Sequence, residues 1–437
     1  MLRPDQRSVP ASNQRNRTVT RGSSRLLERR GPHESHLVTR PLRIAHVSDF
    51  YLPRVGGIEL HISTLSRAQR QIGHHVDVIS SGGLVERDGW PFTSIGARRG
   101  ATFESFSAHA IGAAKRAAIE GGYHVVHVHA GLATPLSVAV AAATSSAGLP
   151  TVLTMHSMVG ALAGLYRGLD HFTGWRSWPV LWTSVSRVAA RQFQTVLGDA
   201  ASVFVLPNAV DVDAWRQVEP LRHKGIVIAA VMRLAPRKRP LALMRILRAV
   251  RRATPDSIPV TAIVIGEGAQ RPAVERYLAR HRMGSWISIP GAASQLEIRD
   301  LFRGADIFVA PAMKESFGIA ALEARAAGVP VIAMAQSGTN EFIDDGRSGL
   351  LVNNDAEMVS AIAMLIADDD ARARIATYNR SVSPQFGWSQ ALHRTAEMYK
   401  RAADLQRGGA PSPETPAALP TARLDVVEVH RSVGLSA

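Results

Sequence analysis

From Pro41 onward, short apolar runs alternate with longer stretches whose apolar positions recur every three or four residues. The run 43–48 (Arg-Ile-Ala-His-Val-Ser) is a strand candidate ahead of a glycine turn, and 59–71 then has helical periodicity. Further strand candidates are 76–80, 125–129 and 151–155, each ending in or just before a polar residue. The series restarts after Pro207-Asn208 and a charged stretch to Lys224, with apolar runs at 225–231, 260–265, 286–289, 307–310 and 329–333. Short buried strands interleaved with helices predict parallel, doubly wound sheets. The expected fold class is α/β, with two doubly wound domains facing a cleft. In open α/β sheets ligands sit beyond the carboxyl ends of the strands, so the informative residues are expected there.

The most informative residues are Glu315 and Glu323, in the run Lys314-Glu315-Ser316-Phe317-Gly318-Ile319-Ala320-Ala321-Leu322-Glu323-Ala324 that continues to Gly328-Val329-Pro330. The spacing places one carboxylate on a loop and the second on the helix that follows, roughly 10 Å further along. A helix N-terminus between them offers backbone N–H groups to an anion. That span fits a ligand with hydroxyls at both ends and an anion between them, and a nucleotide-diphosphate sugar is that kind of ligand. The bland alternative is a solvated helix with two chance glutamates.

Composition narrows the class. The chain has 437 residues, 46% hydrophobic and 20% charged, enough for two domains with ample cores. No apolar run approaches the ~20 residues that span a bilayer. With no cysteine, disulfides, thiolate zinc sites and a cysteine nucleophile are excluded, in keeping with a cytoplasmic setting. Net charge is +15, and residues 1–40 hold nine arginines against three acids. Such an excess points to an anionic partner, lipid head groups or nucleotide phosphates; without a recognition module or a basic-aromatic stripe, nucleic acid is not expected. The segment 1–40 lacks an apolar h-region and reads as a disordered basic tail rather than a secretory signal.

Several motifs together closely resemble the retaining glycosyltransferases of family 4, which have two Rossmann-like domains (the GT-B fold). The resemblance covers about residues 42–402. It rests on the E-x7-E run, on Gly56-Gly57-Ile58-Glu59 after the first strand, on Val128-His129-Ala130, and on Arg233-Leu234 with Lys238. Gly266-Glu267-Gly268, Asn208-Ala209-Val210-Asp211, Gly338-Thr339-Asn340-Glu341 and 345–352 add to it. The chain departs from the pattern at Ser157 (an acid in T-x-H-D), Met232 and Ala209 (glycines) and Ala269 (a proline). Ser157 makes His156 a weaker assignment than His129.

The resemblance implies a domain order: 41–207, an N-terminal acceptor domain; 208–222, a linker; 223–384, a C-terminal nucleotide-sugar donor domain; 385–404, a helix crossing back to the N-terminal domain. The segment 405–437 reads as a tail of doubtful order. The resemblance also implies roles. His129 would contact the donor sugar; Arg233 and Lys238, with Arg237 or Arg239 in reserve, would neutralise the diphosphate. Glu315 would bind sugar hydroxyls and Glu323 the ribose. Gly56, Gly57, Ser316, Phe317, Gly318 and Ile319 would line the donor, and Gly266 would lie near the base. No metal or resident cofactor is expected. Asp211-Val212-Asp213 belongs to the linker motif, and a His127/His129 metal pair is set aside on the ground that alternate strand residues face opposite ways.

The function implied is retaining transfer of a hexose from a nucleoside-diphosphate sugar to an acceptor hydroxyl, lipid-linked or on an envelope glycan. The alternatives are a nucleotide-sugar epimerase of the same fold, separated by detecting sugar transfer to an acceptor, and a catalytically idle binder, separated by donor hydrolysis. A basic helix over 103–120, preceded by Arg98 and Arg99, carries Lys115 and Arg116, with Phe103, Phe106, Ala110, Ala113 and Ala117 at helical spacing. It raises a peripheral site on the inner face of an anionic membrane, against the bland reading that the stripe is core.

Overall fold

The computed structural model describes residues 40–52, 56–81, 83–91 and 106–408. The expectations for residues 1–39, Pro53 to Val55, Arg98, Arg99, Phe103 and 409–437 lie outside these. In chain order the first series is β1 (Arg43–Ser48), α1 (Gly57–Gln71), β2 (His75–Ser80), β3 (Gly83–Arg87), β4 (Trp90–Pro91), α2 (Ala108–Glu120), β5 (Val125–Ala130), α3 (Pro135–Ser146), β6 (Thr151–Met155), α4 (Ala163–Thr173), β7 (Leu181–Ser184), α5 (Arg187–Leu197) and β8 (Val203–Val205). After α6 (Val212–Arg216) the second series follows: β9 (Ile226–Val231), α7 (Pro240–Ala253), β10 (Val260–Ile265), α8 (Arg271–Arg280), β11 (Ile287–Gly291), α9 (Gln295–Arg303), β12 (Ile307–Ala310), α10 (Ile319–Ala326), β13 (Val331–Met334), β14 (Gly349–Val352), α11 (Asp355–Ala367), α12 (Asp369–Ser381) and α13 (Trp388–Gln406).

These strands make two Rossmann-like sheets, ordered β4-β3-β2-β1-β5-β6-β7-β8 and β11-β10-β9-β12-β13-β14. Central β5 is buried along its whole length, between β1 and β6, because Val125, Val126, Val128 and Ala130 meet helices while His127 and His129 meet polar partners. The second sheet is parallel throughout. The first is parallel from β2 to β8 but turns antiparallel at one edge, where β3 pairs β2 and β4 pairs β3. This corrects the all-parallel expectation: two residues join β2 to β3, and a parallel return needs a dozen or more. Strand β13 starts later than the sequence pattern suggests. Pro330 has no N–H to add to a ladder; its carbonyl instead accepts from Phe308 N.

Core packing explains two boundaries. The segment 208–222 is not a loose tether, since Val210, Val212, Trp215 and Val218 are buried with Phe302, Phe308 and Phe386 on the second sheet. Helix α13 returns to the first sheet, where Met398, Tyr399 and Ala402 pack on Ile44, Val76, Val125, Val152 and Leu181. Each fully buried large apolar side chain contributes about 1.5–3 kcal/mol, so this seam closes the first sheet's open end. Helix α2 buries Ala110, Ala114 and Ala118, so this stripe is core; of the expected stripe only Ala110 is buried, Ala113 and Ala117 are half-buried, and Phe106, two residues before the helix, is exposed. Among the described residues, no helix is long and apolar enough to cross a membrane.

Candidate functional site

The loop ending β1 delivers Gly56 as the N-cap of α1 with no side-chain cap, so the first-turn N–H groups have no capping partner from that residue. Arg233, just past β9, reaches across from the second domain. A Cβ on Gly56 would lie 2.5 Å from Arg233 Nη2 and 2.4 Å from Glu59 Oε2, so any larger residue there would displace the tips of both side chains. Gly57 faces Ile319, whose Cδ1 lies 3.8 Å from its Cβ position. The structure therefore brings Gly56, Gly57, Arg233 and Ile319, predicted separately, into one place.

The second helix start is α10. Gly318 caps it at φ 97°, ψ 56°, a left-handed conformation that glycine adopts without strain, and it offers no side-chain cap to the first turn. Glu315 precedes it and ion-pairs with Lys238. Lys238 closes a 3-10 turn, Pro236–Lys238, and Pro240 opens α7 at its first position, where the missing N–H costs nothing. Arg239 does not share the Lys238 role: it forks onto Asp355 at 2.8–2.9 Å and onto the Pro311 carbonyl. Among the described residues, Arg237 hydrogen-bonds only the Lys314 carbonyl, at 3.5 Å.

Three donor-site expectations change. The Phe317 ring is buried among Phe342 and Phe386 at 5.4 and 5.6 Å, so it props the loop rather than lining the cleft. Ser316 Oγ donates to the His156 carbonyl at 2.6 Å, tying the donor loop to the first domain. The Gly266 N–H is committed to the Gly291 carbonyl at 2.7 Å, and any Cβ there would overlap the Met232 carbonyl. Glu323 lies on α10 with 5% exposure, and burial pushes its carboxyl up to about 8, partly offset by Arg299. It is therefore largely protonated at neutral pH and able both to donate and to accept.

Behind the cleft lies a cluster of five buried histidines: His46, His61, His127, His129 and His156. His46 Nδ1 meets His129 Nε2 at 2.9 Å, His129 Nδ1 meets His156 Nε2 at 3.0 Å, and His46 Nε2 meets Gln69 Oε1 at 2.7 Å. Gln69 Nε2 donates to Tyr399 Oη on the returning helix at 3.0 Å, and His127 bridges Tyr399 and Thr154. Burial lowers His46 to about 4 and His156 to about 3, and drives His61, His127 and His129 well below their ordinary value, with histidine neighbours adding to it for these three. All five are neutral at pH 7.

With Gln69 accepting from His46, the chain has one consistent direction: each ring donates through Nε2, leaving the His156 Nδ1 as the terminal acceptor. His129, expected to contact the sugar, has both ring nitrogens occupied and 1% exposure, so it holds neighbours in place as the site stands. His127 and His129 stack at 4.2 Å, which corrects the opposite-face argument. Residues two apart share a strand face; only adjacent ones alternate. Their ligand atoms and that of His46 lie within 4.8 Å of one another, within reach of a single ion, although hydrogen bonds already engage them. Asp211 caps α6 through Ala214 N at 3.0 Å, and Asp213 sits in that helix's first turn.

Sequence reasoning missed the contact that locks the domains nearest the cleft. Glu341 Oε1 accepts from the Arg187 N–H at 2.6 Å, and the same carboxylate ion-pairs with the Arg187 guanidinium at 3.1 Å, so a carboxylate of one domain caps α5 of the other. Glu341 lies in the motif 338–341, which marked it, but nothing marked Arg187.

Two Rossmann-like sheets, with glycine-started helices and the cations Arg233 and Lys238 at their junction, have the architecture of the GT-B class of glycosyltransferases. Residues 55–214 match the family described as Glycosyltransferase Family 4, and 211–382 match Glycosyl transferases group 1, so the matches run without a gap from 55 to 382. The chain belongs to glycosyltransferase family 4. It is 25% identical to a Streptomyces avermitilis protein named D-inositol 3-phosphate glycosyltransferase, over 93% of this chain and 97% of that one. A Stackebrandtia nassauensis protein of the same name is 30% identical over 44% of this chain, which spans about half (47%) of that relative's length. The structure of Anabaena HepE in complex with UDP and glucose superposes with TM-score 0.63 over 82% of this chain and 99% of that one, at 18% identity; that likeness speaks to the fold.

Proposed function

We propose that the chain transfers a hexosyl group, with retention, from a nucleoside-diphosphate sugar to an acceptor hydroxyl. The observation that carries this reading is the meeting of Arg233 with the Gly56 loop beside the Lys238–Glu315 pair. A diphosphate entering there would take up the Arg233 and Lys238 charges and the N–H groups at the starts of α1 and α10. Each charge-assisted bond to phosphate is worth ~1.5–3 kcal/mol. Drawing Lys238 to phosphate would release Glu315 to the sugar hydroxyls, and Glu323 would meet the ribose. Charge that develops on the leaving phosphate is stabilised by groups already in place, which is where most catalytic effect of this kind arises. With no carboxylate placed as a nucleophile, the acceptor attacks from the face the diphosphate leaves, and a phosphate oxygen takes its proton. No metal ion is assigned a part. The UDP named in the HepE structure supports a uridine donor.

For the acceptor, the favoured reading is a lipid-linked hydroxyl at a membrane surface, with the protein peripheral on its cytoplasmic side. Support comes from α4, which begins seven residues after His156 and exposes Leu165, Leu169 and Phe172 at i, i+4 and i+7. A soluble polyol phosphate is the second acceptor reading, favoured by the relatives' shared name. The deciding experiment measures donor hydrolysis and transfer with UDP-, GDP- and ADP-hexoses, each with an inositol phosphate or with anionic lipid vesicles. Anomeric NMR of the product reports retention. Donor binding without hydrolysis or transfer under any condition would leave only the idle-binder reading.

A further inference from the structure

At the far ends of α7 and α8, away from the cleft, an open concavity of about 650 Å³ is lined by Arg245, Arg248, Arg252, Tyr277 and His281 with two alanines. The three arginines recur at i, i+3 and i+7 along α7, a row of roughly 10 Å at helical rise. Among the described residues none of the three is hydrogen-bonded or ion-paired, although nearby Arg251 pairs with Asp256 and Arg271 with Glu275 and Glu267. No carboxylate lines the concavity. A favourable interaction with the helix C-terminus accounts for Arg252 but not for Arg245 or Arg248, which sit mid-helix.

We infer that this concavity is an anion site for a ligand carrying several phosphate charges, an oligophosphate or a phosphorylated head group, bound by Arg245, Arg248 and Arg252 with His281 at its edge. The length of the row selects for spread charge over a single phosphate, and arginine is the side chain best matched to phosphate oxygens. His281 reports the unbalanced field. Its pKa is held below the ordinary value, first by shielding from water and then by Arg248, Arg280 and Arg252; its ring packs on Tyr277 at 4.3 Å. An anion would cancel that repulsion, so binding must raise the His281 pKa and tighten as pH falls. The inference is independent of glycosyl transfer.

The test uses the full chain carrying Arg233→Ala and Lys238→Ala, which on the proposed reading weakens phosphate binding at the cleft. Calorimetry with inorganic triphosphate and with orthophosphate should favour triphosphate at least about tenfold. Adding Arg248→Gln and Arg252→Gln should weaken triphosphate by at least about tenfold while leaving the melting temperature in place. NMR should show the His281 pKa rising with triphosphate only when those arginines are present. A parallel arm sediments the protein with phosphatidylglycerol or phosphatidylcholine vesicles. Arginine-dependent retention on the former, competed by triphosphate, identifies a head group as the source; triphosphate binding alone identifies a free ligand. Equal triphosphate affinity with and without the two arginines, or an unmoved His281 titration, overturns the inference.

Discussion

Replacing Glu323 by glutamine isolates a charge from a hydrogen-bonding group at one buried position. The carboxyl goes from an ordinary 4.5 to about 8 on folding, because burial disfavours its charged form more than Arg299 favours it. Between those two values the native state keeps a proton that the unfolded chain has lost. The stability held at low pH is therefore lost as pH rises towards 8, at a limiting slope of about 1.4 kcal/mol per pH unit. Over the full window the loss is on the order of 4–5 kcal/mol, an upper figure because buried sites relax and admit water. Glutamine cannot ionise, so Glu323→Gln should flatten this part of the stability–pH profile and be more stable than the parent at pH 8, while the two converge near pH 4. Urea denaturation at half-unit steps from pH 4.5 to 8.5 reads the difference directly. The carboxamide still donates and accepts, so affinity for the nucleoside diphosphate at pH 7 should change little. Parallel profiles for parent and variant across that window would refute the buried, protonated Glu323.

Glu315→Ala should abolish transfer with the melting temperature nearly unchanged, since its carboxylate meets Lys238 rather than the core; wild-type turnover in a transfer assay would remove it from the site. Arg233→Ala with Lys238→Ala should weaken UDP or GDP binding by roughly 3–6 kcal/mol, two charge-assisted bonds, and calorimetry showing unaltered affinity would sink the diphosphate role. Activity should survive EDTA; complete loss restored by manganese would instead promote Asp211 and Asp213 or the His46, His127 and His129 group to ligands. Gly56→Ala should impair donor binding more than folding, because its methyl would push Arg233 aside; an intact KM for the donor would show that the loop has room to give.

What the chain displays locally it displays clearly. Strands β1, β6, β10 and β12 coincide with apolar runs visible by eye, since a buried strand needs only four to six consecutive apolar residues. Strands β3, β4 and β7 do not. β7 is the four residues Leu181-Trp182-Thr183-Ser184, half polar, and β3 and β4 carry Glu86, Arg87 and Pro91 at one edge of the sheet. Their strand character comes from neighbours in space, which no short window contains. The glycine loops and the E-x7-E run were legible for the opposite reason: their chemistry depends on backbone conformation and spacing over about ten residues.

The histidine cluster shows where this legibility stops. Only His129 and, weakly, His156 carried a local signature, yet His46 comes from β1, His61 and Gln69 from α1, and Tyr399 from the last helix, more than 300 residues away in sequence from Gln69. Five neutral rings are tolerated in the core because most of the ring nitrogens, both of His46, His127 and His129 and the Nε2 of His156, find a partner, the cost of burying an imidazole falling steeply once they do. His61 differs: its Nδ1 is buried without a hydrogen-bond partner among the described residues, where the ring stacks on Trp388 and faces His156. Helix α13 thus does more than fasten the chain end: through Tyr399 it fixes Gln69, through Gln69 the tautomer of His46, and through His46 and His129 the orientation of His156 beside the donor loop. The reach of that chain, from the far end of the sequence to the Ser316 contact, explains why a residue-by-residue reading found the loop that binds but not the scaffold that aims it.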